Sequence, residues 1–495
     1  MQRWLTGTLW LVVMLAITAM SFTASGARRP AYGGVLRIPT DSPIHTLDPI
    51  GIRWPSEATL GALLYDSPYR LAANGHALPH LLRPVVSQGG GQTIRFQVRQ
   101  HAVFHDGSPV RATHVIASLT RLAASKEHGW LLAMVEGAGS ARSSRSSISG
   151  LKLVGTNTVL VRLNSARSLD LFLMALAAPQ TGVASSARKA MKGVGTGPFV
   201  LRGTKGGDRR LRANRDYFDG PPYLNEVVLL GPISRDDHIR RFQLEQSDAS
   251  LLGDSVYGEA PPAAVTLTEG PAAQLVYLVF NTSRGAARDL PLRRAVDLAL
   301  DRRRLAGTSA RPIGFPGSSR PTARDASRAK ALIAGLGFTS SSRPLTLLVE
   351  EDDAFGVFLA PQIQRDLSAV GLPVNRVLAS SAEARTRLAA GNWDMRLQTL
   401  APVSPDAILQ LGQILAFGGL RSEAARLVEK ASLARREEVM RATKALASEL
   451  PVIPLCARRA RLHHRTNIRG ASYDGIGRLS LADTWIRPPP SPGTR

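Results

Sequence analysis

The chain has 495 residues, of which 62 are lysine or arginine and 38 are aspartate or glutamate, so its formal net charge is +24. Its single cysteine excludes an intrachain disulfide, and its length exceeds the roughly 250 to 300 residues that one hydrophobic core serves. The 54 arginines and 8 lysines are scattered along the chain, which indicates the codon bias of a GC-rich genome more than nucleic-acid binding. A basic surface of this kind also favours anionic solutes or membranes.

The N-terminal 27 residues predict a secretory signal peptide. They carry a positive charge at Arg3, an apolar run over residues 9–20, and small residues at Ser25 and Ala27 that suit signal peptidase. The apolar run is shorter than the roughly 20 residues that a membrane-spanning helix needs. We therefore expect cleavage after Ala27 and a periplasmic protein, without a lipid anchor because no cysteine lies near the junction.

The first elements predicted after this segment are two strands. Residues 34–39 alternate apolar and polar and predict a strand that leads into a polar loop containing Thr40, Asp41 and Ser42. Residues 93–99 alternate without error, as a strand with one solvated face should.

The segment that follows the second strand pairs a histidine with a carboxylate. Residues 104–107 read Phe-His-Asp-Gly, so His105 and Asp106 could form a catalytic dyad. The chain contains neither the Gly-x-Ser-x-Gly motif of hydrolases nor the His-Glu-x-x-His motif of metalloproteases. A structural turn, with the histidine supplying a hydrogen bond, is the favoured interpretation.

Periodic apolar residues predict further elements downstream. Residues 292–300 have the spacing of a helix with one buried face. The glycines of residues 193–198 predict a tight turn before a strand, because Pro198 lacks the N–H that a phosphate-binding loop would use. The same reasoning predicts a helix over 115–122, strands at 151–154 and 159–163, a strand over 275–281, helices over 329–338 and 435–450, and a strand at 451–455.

Two features near the C terminus could carry chemistry. Cys456 lies in an apolar run and is expected to be a small buried residue. His463 and His464 are adjacent, so their side chains would point to opposite sides of a strand. We expect two surface histidines there, and a metal pair is the less favoured alternative.

Several blocks of the chain resemble family 5 of the extracytoplasmic solute-binding proteins, the receptors that feed peptides, nickel complexes and similar solutes to ABC importers. The matching segments are Phe-His-Asp-Gly-Ser-Pro at 104–109, Gly-Thr-Gly-Pro-Phe at 195–199, and Asn-x-x-Tyr-Phe followed by Pro-Tyr-Leu between 214 and 224. They occur in the family's order, and the resemblance extends over residues 34–485.

The resemblance implies an α/β fold, the two-lobed periplasmic-binding-protein clamp of type II, in its large form with an extra subdomain in lobe I. Lobe I would comprise residues 34–265 and 452–495, with the subdomain near 66–174, and lobe II residues 275–451. The chain crossings near 266–274 and 451 would form the hinge. Such a protein binds a peptide or similar small polar solute by hinge closure, without catalysis, cofactor or metal. It would act as a monomer and deliver the solute to ABC permease subunits in the inner membrane.

The resemblance also indicates where the solute would lie. On lobe I the walls would be Thr40, Asp41 and Ser42, and on lobe II they would be Trp393 and the loop over residues 400–406. Trp393 could equally be a core anchor.

The loop over residues 400–406 departs from the pattern of dipeptide receptors. These receptors carry a carboxylate a few residues before an Asp-Pro pair, whereas here the corresponding stretch is apolar and Ser404 replaces the aspartate. Asp406 is the only acid left to anchor an amine. A buried ammonium without a partner would cost several kcal/mol, so peptide specificity is open.

Three functions remain open at this point. The chain could be a transport receptor, a relative that senses or scaffolds without transporting, or an extracytoplasmic hydrolase with an unusual site. Ligand-induced thermal stabilisation would separate the first two functions, and turnover of a ligand would favour the third.

Overall fold

The computed structural model describes residues 30–40, 42–231, 235–251, 265–317, 320–339, 342–430 and 435–488. The predicted signal peptide and Asp41 therefore lie outside the described residues. The strands are β1 Val35–Pro39, β2 Tyr69–Leu71, β3 Ala77–Pro79, β4 Leu82–Gln88, β5 Thr93–Val98, β6 Leu151–Val154, β7 Thr158–Arg162, β8 Phe199–Lys205, β9 Asp208–Ala213, β10 Glu226–Leu230, β11 Ala249–Ser250, β12 Val265–Phe280, β13 Ala310–Pro312, β14 Leu345–Glu350, β15 Val374–Ala379, β16 Met395–Leu400, β17 Val452–Arg465, β18 Ile468–Arg469, β19 Ser472–Tyr473, β20 Leu479–Ser480 and β21 Trp485–Ile486.

The α-helices of the described residues are numbered in the same way. They are α1 Pro55–Leu64, α2 Ala112–Ala123, α3 Leu169–Leu176, α4 Ala187–Ala190, α5 Arg235–Gln243, α6 Leu290–Ala299, α7 Arg302–Ala306, α8 Ala326–Gly335, α9 Ala354–Ala369, α10 Ser381–Ala390, α11 Ala407–Phe417, α12 Arg421–Lys430 and α13 Arg435–Glu449. Among these helices, none combines the length and the apolar character needed to span a membrane.

Two four-stranded sheets form the first lobe. In the order β1-β10-β9-β8, β1 is parallel to β10 and the other pairs are antiparallel. This sheet buries Leu36 and Ile38 in one core with Leu63 and Leu64 of α1. The second sheet, β4-β5-β7-β6, is antiparallel throughout.

The second sheet of the first lobe bears out the predictions made for it. The predicted helix is α2, which buries Val115, Leu119 and Leu122, and the predicted hairpin is β6 and β7. Both arise from apolar residues that repeat with the period of a helix or of a strand. The segment over residues 129–132 then reaches the second lobe, where the indole of Trp130 lies against Gly412 of α11.

The second lobe is built on a seven-stranded sheet of order β11-β17-β12-β16-β14-β15, with β13 paired to β17. Strands β14 and β15 are parallel, and β14 also pairs parallel to β16. The predicted helix over 292–300 is α6, and its residues Leu292, Val296 and Ala299 are buried.

The strands β12 and β17 run antiparallel and connect the two lobes. Leu462 at one end of β17 belongs to the core of the β1 sheet, whereas Leu455 at the other end belongs to the core that contains Val276 of β12. The pairing shifts register between Glu269 and Ala272, and again before Gln274. Strand pairing is therefore irregular where the chain passes from one core to the other.

Several predicted boundaries and environments need correction. The predicted helix over 329–338 begins earlier, at Ala326, because the side chain of Asp325 caps it by accepting from the N–H of Arg328. The predicted strand at 451–455 continues to Arg465 as β17.

His463 and His464 are not surface residues, since they are only 1% and 3% exposed. Both lie in the part of β17 that is paired with β11 on one edge and with β12 on the other, so this segment is inside the sheet and not at its edge. Cys456, in the same strand, is buried as predicted.

Candidate functional site

A cavity of about 400 Å³ lies between the two lobes. The first lobe contributes Arg53 and Glu127, and the second lobe contributes β16 and the segment that joins α11 to α12. Four arginines and one acid lie on its walls, and we call it the arginine cleft. Its lining residues are Arg53, Glu127, Val279, Arg385, Leu388, Trp393, Arg396, Ala416, Phe417, Gly418, Gly419 and Arg421.

The start of α1 fixes the position of Arg53. Pro55 opens the helix, and the carboxylate of Glu57 accepts hydrogen bonds from the backbone N–H of Arg53 at 2.9 Å and of Trp54 at 3.1 Å. Burial raises the pKa of Glu57, although these N–H groups and that of His45 act in the opposite direction. The local turn therefore directs the Arg53 side chain toward the second lobe.

Direct contacts hold the lobes together in the described arrangement. The guanidinium of Arg53 pairs with Glu350 at 3.0 Å, and the ring of His45 lies 3.2 Å from Asp352. The backbone N–H of Ala401 donates to the carbonyl of Arg53 at 3.0 Å. These contacts join the loop before α1 to the ends of β14 and β16, so the cleft is closed.

Arg396 lies in β16, and its side chain is half-buried at the wall of the cleft. Its guanidinium donates to the carbonyl of Phe417 and lies 5.7 Å from the ring of Trp393. Its Nε is buried without a hydrogen-bond partner among the described residues. Burial, followed by the positive charges of Arg53 and Arg421, lowers the pKa of Arg396 to about 10, although the charge of Glu350 acts in the opposite direction.

Two further arginines line the cleft. Arg385 of α10 and Arg421 at the start of α12 are exposed, and neither forms an ion pair within the described part of the chain. Glu127 is the acid on the wall, and Glu350 behind it is already paired with Arg53. The electrostatic potential inside the cleft is therefore positive.

Two of the solute contacts predicted for the first lobe, Thr40 and Ser42, lie in the described part of the chain, and both are buried. Thr40 is 2% exposed and its hydroxyl donates to the carbonyl of Leu230 at 3.0 Å, which ties the end of β1 to β10. The hydroxyl of Ser42 donates to that of Ser56 at 2.9 Å. Ser42 also lines a small crevice between the lobes, opposite Asp352.

The two solute contacts predicted for the second lobe lie in different places: Trp393 is on the wall of the arginine cleft and Asp406 is not. Trp393 lines the arginine cleft and packs against the cluster of Leu348, so it is both wall and core. Asp406 caps α11, because its carboxylate accepts from the N–H of Ile408 at 2.9 Å and of Leu409 at 3.3 Å. It does not line the arginine cleft.

The other motifs lie outside the arginine cleft. Asp106 accepts from the N–H of Ser108 at 3.1 Å, and His105 lies 3.0 Å from the carbonyl of Gly197, which is the structural turn that we predicted. Across the described residues, no group of three or more His, Cys, Asp or Glu side chains could hold a metal ion.

A second cavity, of about 500 Å³, lies within the first lobe and is lined by six of the eight tyrosines. We call it the tyrosine cavity. Asp66 is 4% exposed, lies 2.8 Å from Nε2 of His80, and accepts from the hydroxyl of Tyr217 at 2.9 Å. Its tyrosines are Tyr32, Tyr65, Tyr69, Tyr217, Tyr223 and Tyr473.

Two α/β lobes that are joined by a pair of long strands and enclose a cavity between them define a two-lobed ligand-binding protein. Residues 78–418 match the family described as bacterial extracellular solute-binding proteins, family 5 Middle. The chain belongs to this family of solute-binding proteins. The resemblance stated from its motifs is thereby confirmed.

The most similar relatives include two proteins of Pseudomonas aeruginosa (strain UCBPP-PA14). Di/tripeptide-binding protein 2 is 29% identical over 227 residues, which is 42% of this chain and 42% of that protein. Probable di/tripeptide-binding protein 5 is 24% identical over 363 residues, 66% of this chain and 68% of that protein. The matching region thus spans less than half the length of the first of these relatives.

Solved structures support the fold. The murein tripeptide binding protein MppA of Escherichia coli superposes with a TM-score of 0.78 at 17% identity, and the match covers 92% of this chain and 99% of that chain. The predicted two-lobed α/β clamp is therefore confirmed.

Proposed function

We propose that the protein is an extracytoplasmic receptor that closes two lobes over a small polar solute and presents the closed form to the permease subunits of an ABC importer. The observation that carries this proposal is the arginine cleft, whose volume of about 400 Å³ is within the range of small-ligand sites. The names of the P. aeruginosa relatives support a peptide or a related solute.

The proposed motion is a hinge between a lobe of residues 34–265 with 452–495 and a lobe of residues 275–451. The register shifts of the β12–β17 pair between Glu269 and Gln274 support a hinge near 266–274. The ion pairs that Arg53 and His45 form across the cleft would break on opening. In this proposal the protein binds its solute and does not change it chemically.

Among the residues that the sequence indicated, we propose that Ser42 and Trp393 face the solute. Thr40 and Asp406 stay predictions, and their side chains hydrogen-bond to the backbone of their own lobes. Asp41 stays a prediction outside the described residues. We further propose export by the N-terminal segment, cleavage after Ala27, and a monomer that works in the periplasm.

The proposal is tested on protein purified without denaturant. Mass spectrometry identifies the solute that it retains, and unfolding and refolding then yield protein free of this solute. Adding the solute back should raise the stability by about 2.7 kcal/mol at 100 times the dissociation constant. The radius of gyration from small-angle scattering should fall at the same time. Identical melting and scattering curves with and without the released solute would contradict the proposal.

A second measurement separates a transport receptor from a relative that only senses or scaffolds. Cells that lack the protein are compared with the parent strain for uptake of the released solute. We expect uptake to be lost, whereas unchanged uptake would favour the sensor or scaffold.

A further inference from the structure

The arginine cleft has more positive charge than its surroundings neutralise. Arg53 is paired with Glu350, but Arg385 and Arg421 have no ion pair among the described residues. Arg396 faces the same space with the carbonyl of Phe417 as its hydrogen-bond acceptor. Charges of one sign in a closed site repel one another, and an occupant of the opposite sign removes this repulsion.

Arg396 is the strongest evidence for an anionic occupant. Removing a charge from water costs free energy unless the charge is paired. Arg302 is a useful comparison: it is 4% exposed, and its guanidinium pairs with the carboxylate of Asp297. Among the described residues Arg396 forms no ion pair, and the charges that act on it are Arg53, Arg421 and Glu350, of which Glu350 is already paired with Arg53. Codon bias explains why arginines are numerous, but it does not explain a half-buried arginine in a strand whose Nε has no hydrogen-bond partner among the described residues.

Among the described residues, Glu127 is the one carboxylate on the same walls that could anchor the amine of a peptide. Asp406 is engaged at the N-terminus of α11 and lies outside the lining. Glu127 is exposed at the edge of the first lobe, and Glu350 is engaged by Arg53. The face of Trp393 and the residues beside Phe417 supply an apolar surface next to the guanidinium of Arg396.

We propose that the solute is an acid with at least two carboxylate or phosphate groups, bound by Arg396 together with Arg385 and Arg421, and that it needs no free ammonium group. This inference rests on the proposed receptor function. Guanidinium groups bind both kinds of oxyanion in a bidentate manner, which the compact charge of lysine does not do. The apolar part of the solute packs on Trp393.

The test uses isothermal titration of the refolded, solute-free protein with defined probes. N-acetyl-Glu-Glu supplies three carboxylates and no ammonium, inorganic pyrophosphate supplies phosphate oxygens, and Lys-Lys amide supplies only positive charge. We expect one or both anionic probes to bind and Lys-Lys amide not to bind. Which anionic probe binds distinguishes carboxylate from phosphate recognition. Raising the salt from about 20 mM to about 500 mM should weaken the binding several-fold.

Variants locate the binding. Arg396→Met should weaken binding of the anionic probe by about 10- to 100-fold, because it removes charged hydrogen bonds. Arg387→Met is the matched control, since Arg387 lies on α10 near Arg385 but pairs with Glu383 and does not line the cleft. The control should bind the probe as the parent protein does.

The outcomes distinguish this inference from the proposed function. If Lys-Lys amide or a neutral retained solute binds and the anionic probes do not, the inference is overturned and the receptor function stands. Equal loss of anion binding in Arg396→Met and Arg387→Met would also overturn it, because the cleft would not be the site. If no probe binds and the purified protein retains no solute, the proposed function fails, and the inference fails with it.

Discussion

The tyrosine cavity is larger than the arginine cleft, about 500 Å³ against about 400 Å³, yet six of the seven acidic and basic side chains on its wall are paired with one another, and the seventh is the exposed Asp483. Asp66 is paired with His80, and Asp474 is paired with Arg478 at 2.6 Å. In the arginine cleft four of the five charged side chains are positive, and among the described residues only Arg53 of these four forms an ion pair. The presence of charges without an ion pair, more than the volume, therefore distinguishes a ligand-binding cavity from a cavity whose polar groups serve the fold.

The two cavities also differ in what their buried groups do for the fold. Burial opposes ionisation of Asp66, but the charge of His80 and hydrogen bonds from His80 and Tyr217 outweigh it and lower its pKa. Burial and the charge of Asp66 raise the pKa of Tyr217 well above its usual value. This network stabilises the first lobe. Partial burial of the guanidinium of Arg396, in contrast, costs free energy of folding. Substitution of Asp66 should therefore lower stability, whereas substitution of Arg396 should lower solute affinity with little change in stability.

The largest effect is expected from Asp66→Ala. It leaves His80 and Tyr217 buried without their acceptor, and should lower the free energy of unfolding by about 3 to 5 kcal/mol. Urea denaturation measures this. Asp219→Ala is the control, because Asp219 pairs near the surface with Arg70 at 3.1 Å and with Arg99 at 3.3 Å, and each such pair should contribute less than about 1 kcal/mol. A loss of solute affinity without a loss of stability in Asp66→Ala would instead make the tyrosine cavity the binding site.

Acid should act on the two regions in different pH ranges. His128 lies beside the cleft with its ring 6.3 Å from that of Phe417, and burial lowers its pKa from 6.5 to about 4. The unfolded chain then binds more protons between these values, so stability should fall as the pH drops from about 6.5 to about 4, by on the order of 3 kcal/mol. The pKa of Asp66 is lowered, so its contribution is present above 3.8 and is lost as the pH falls below that value.

Unfolding free energies measured across this pH range check both parts. His128→Gln should flatten the upper part of the profile, while the same substitution of the exposed His76 should leave it unchanged. A profile of His128→Gln that falls as steeply as that of the parent between pH 6.5 and 4 would show that another group is responsible.

Arg396→Met should separate stability from binding. Removing an enclosed charge together with one hydrogen bond should change the unfolding free energy of the solute-free protein by less than about 1 kcal/mol. The affinity for the anionic probe falls in the same variant, as stated above. A variant that loses several kcal/mol of stability would identify Arg396 as a structural residue and remove the contrast between the two cavities.

The smallest effect is expected from Glu350→Gln. Glu350 pairs with Arg53 of the cleft, and its conversion to the amide removes the charge that neutralises this arginine. The amide can still accept from Ser381, which now donates to Glu350 at 3.0 Å. We expect a gain of a few-fold in affinity for the anionic probe by titration. A loss as large as that in Arg396→Met would mean that the ion pair controls closure more than charge controls binding.

Much of the fold was predictable because apolar residues repeat with the period of one element. The helix α6 and the strand β5 each bury a single face, and each was found. The length of β17 was not predictable, because Arg459 and Arg461 interrupt its apolar pattern. Those residues are in the strand because they pair with β12, which is distant in sequence.

The candidate site was predictable only in part. Ser42 and Trp393 face spaces between the lobes, and family motifs indicated them. Arg53, Arg385, Arg396 and Arg421 were missed, because each is one of 54 arginines and their convergence depends on packing. One signal was present: Arg396 interrupts the otherwise buried strand β16. Charged side chains are rare at such positions unless they have a partner.

The most direct measurement of the central claim is a crystal structure of the protein with the solute that it retains during native purification. The account predicts an anionic solute between the lobes, with its oxygens on Arg396 and its apolar part on Trp393. A solute in the tyrosine cavity beside Tyr217, with the arginine cleft empty, would contradict it.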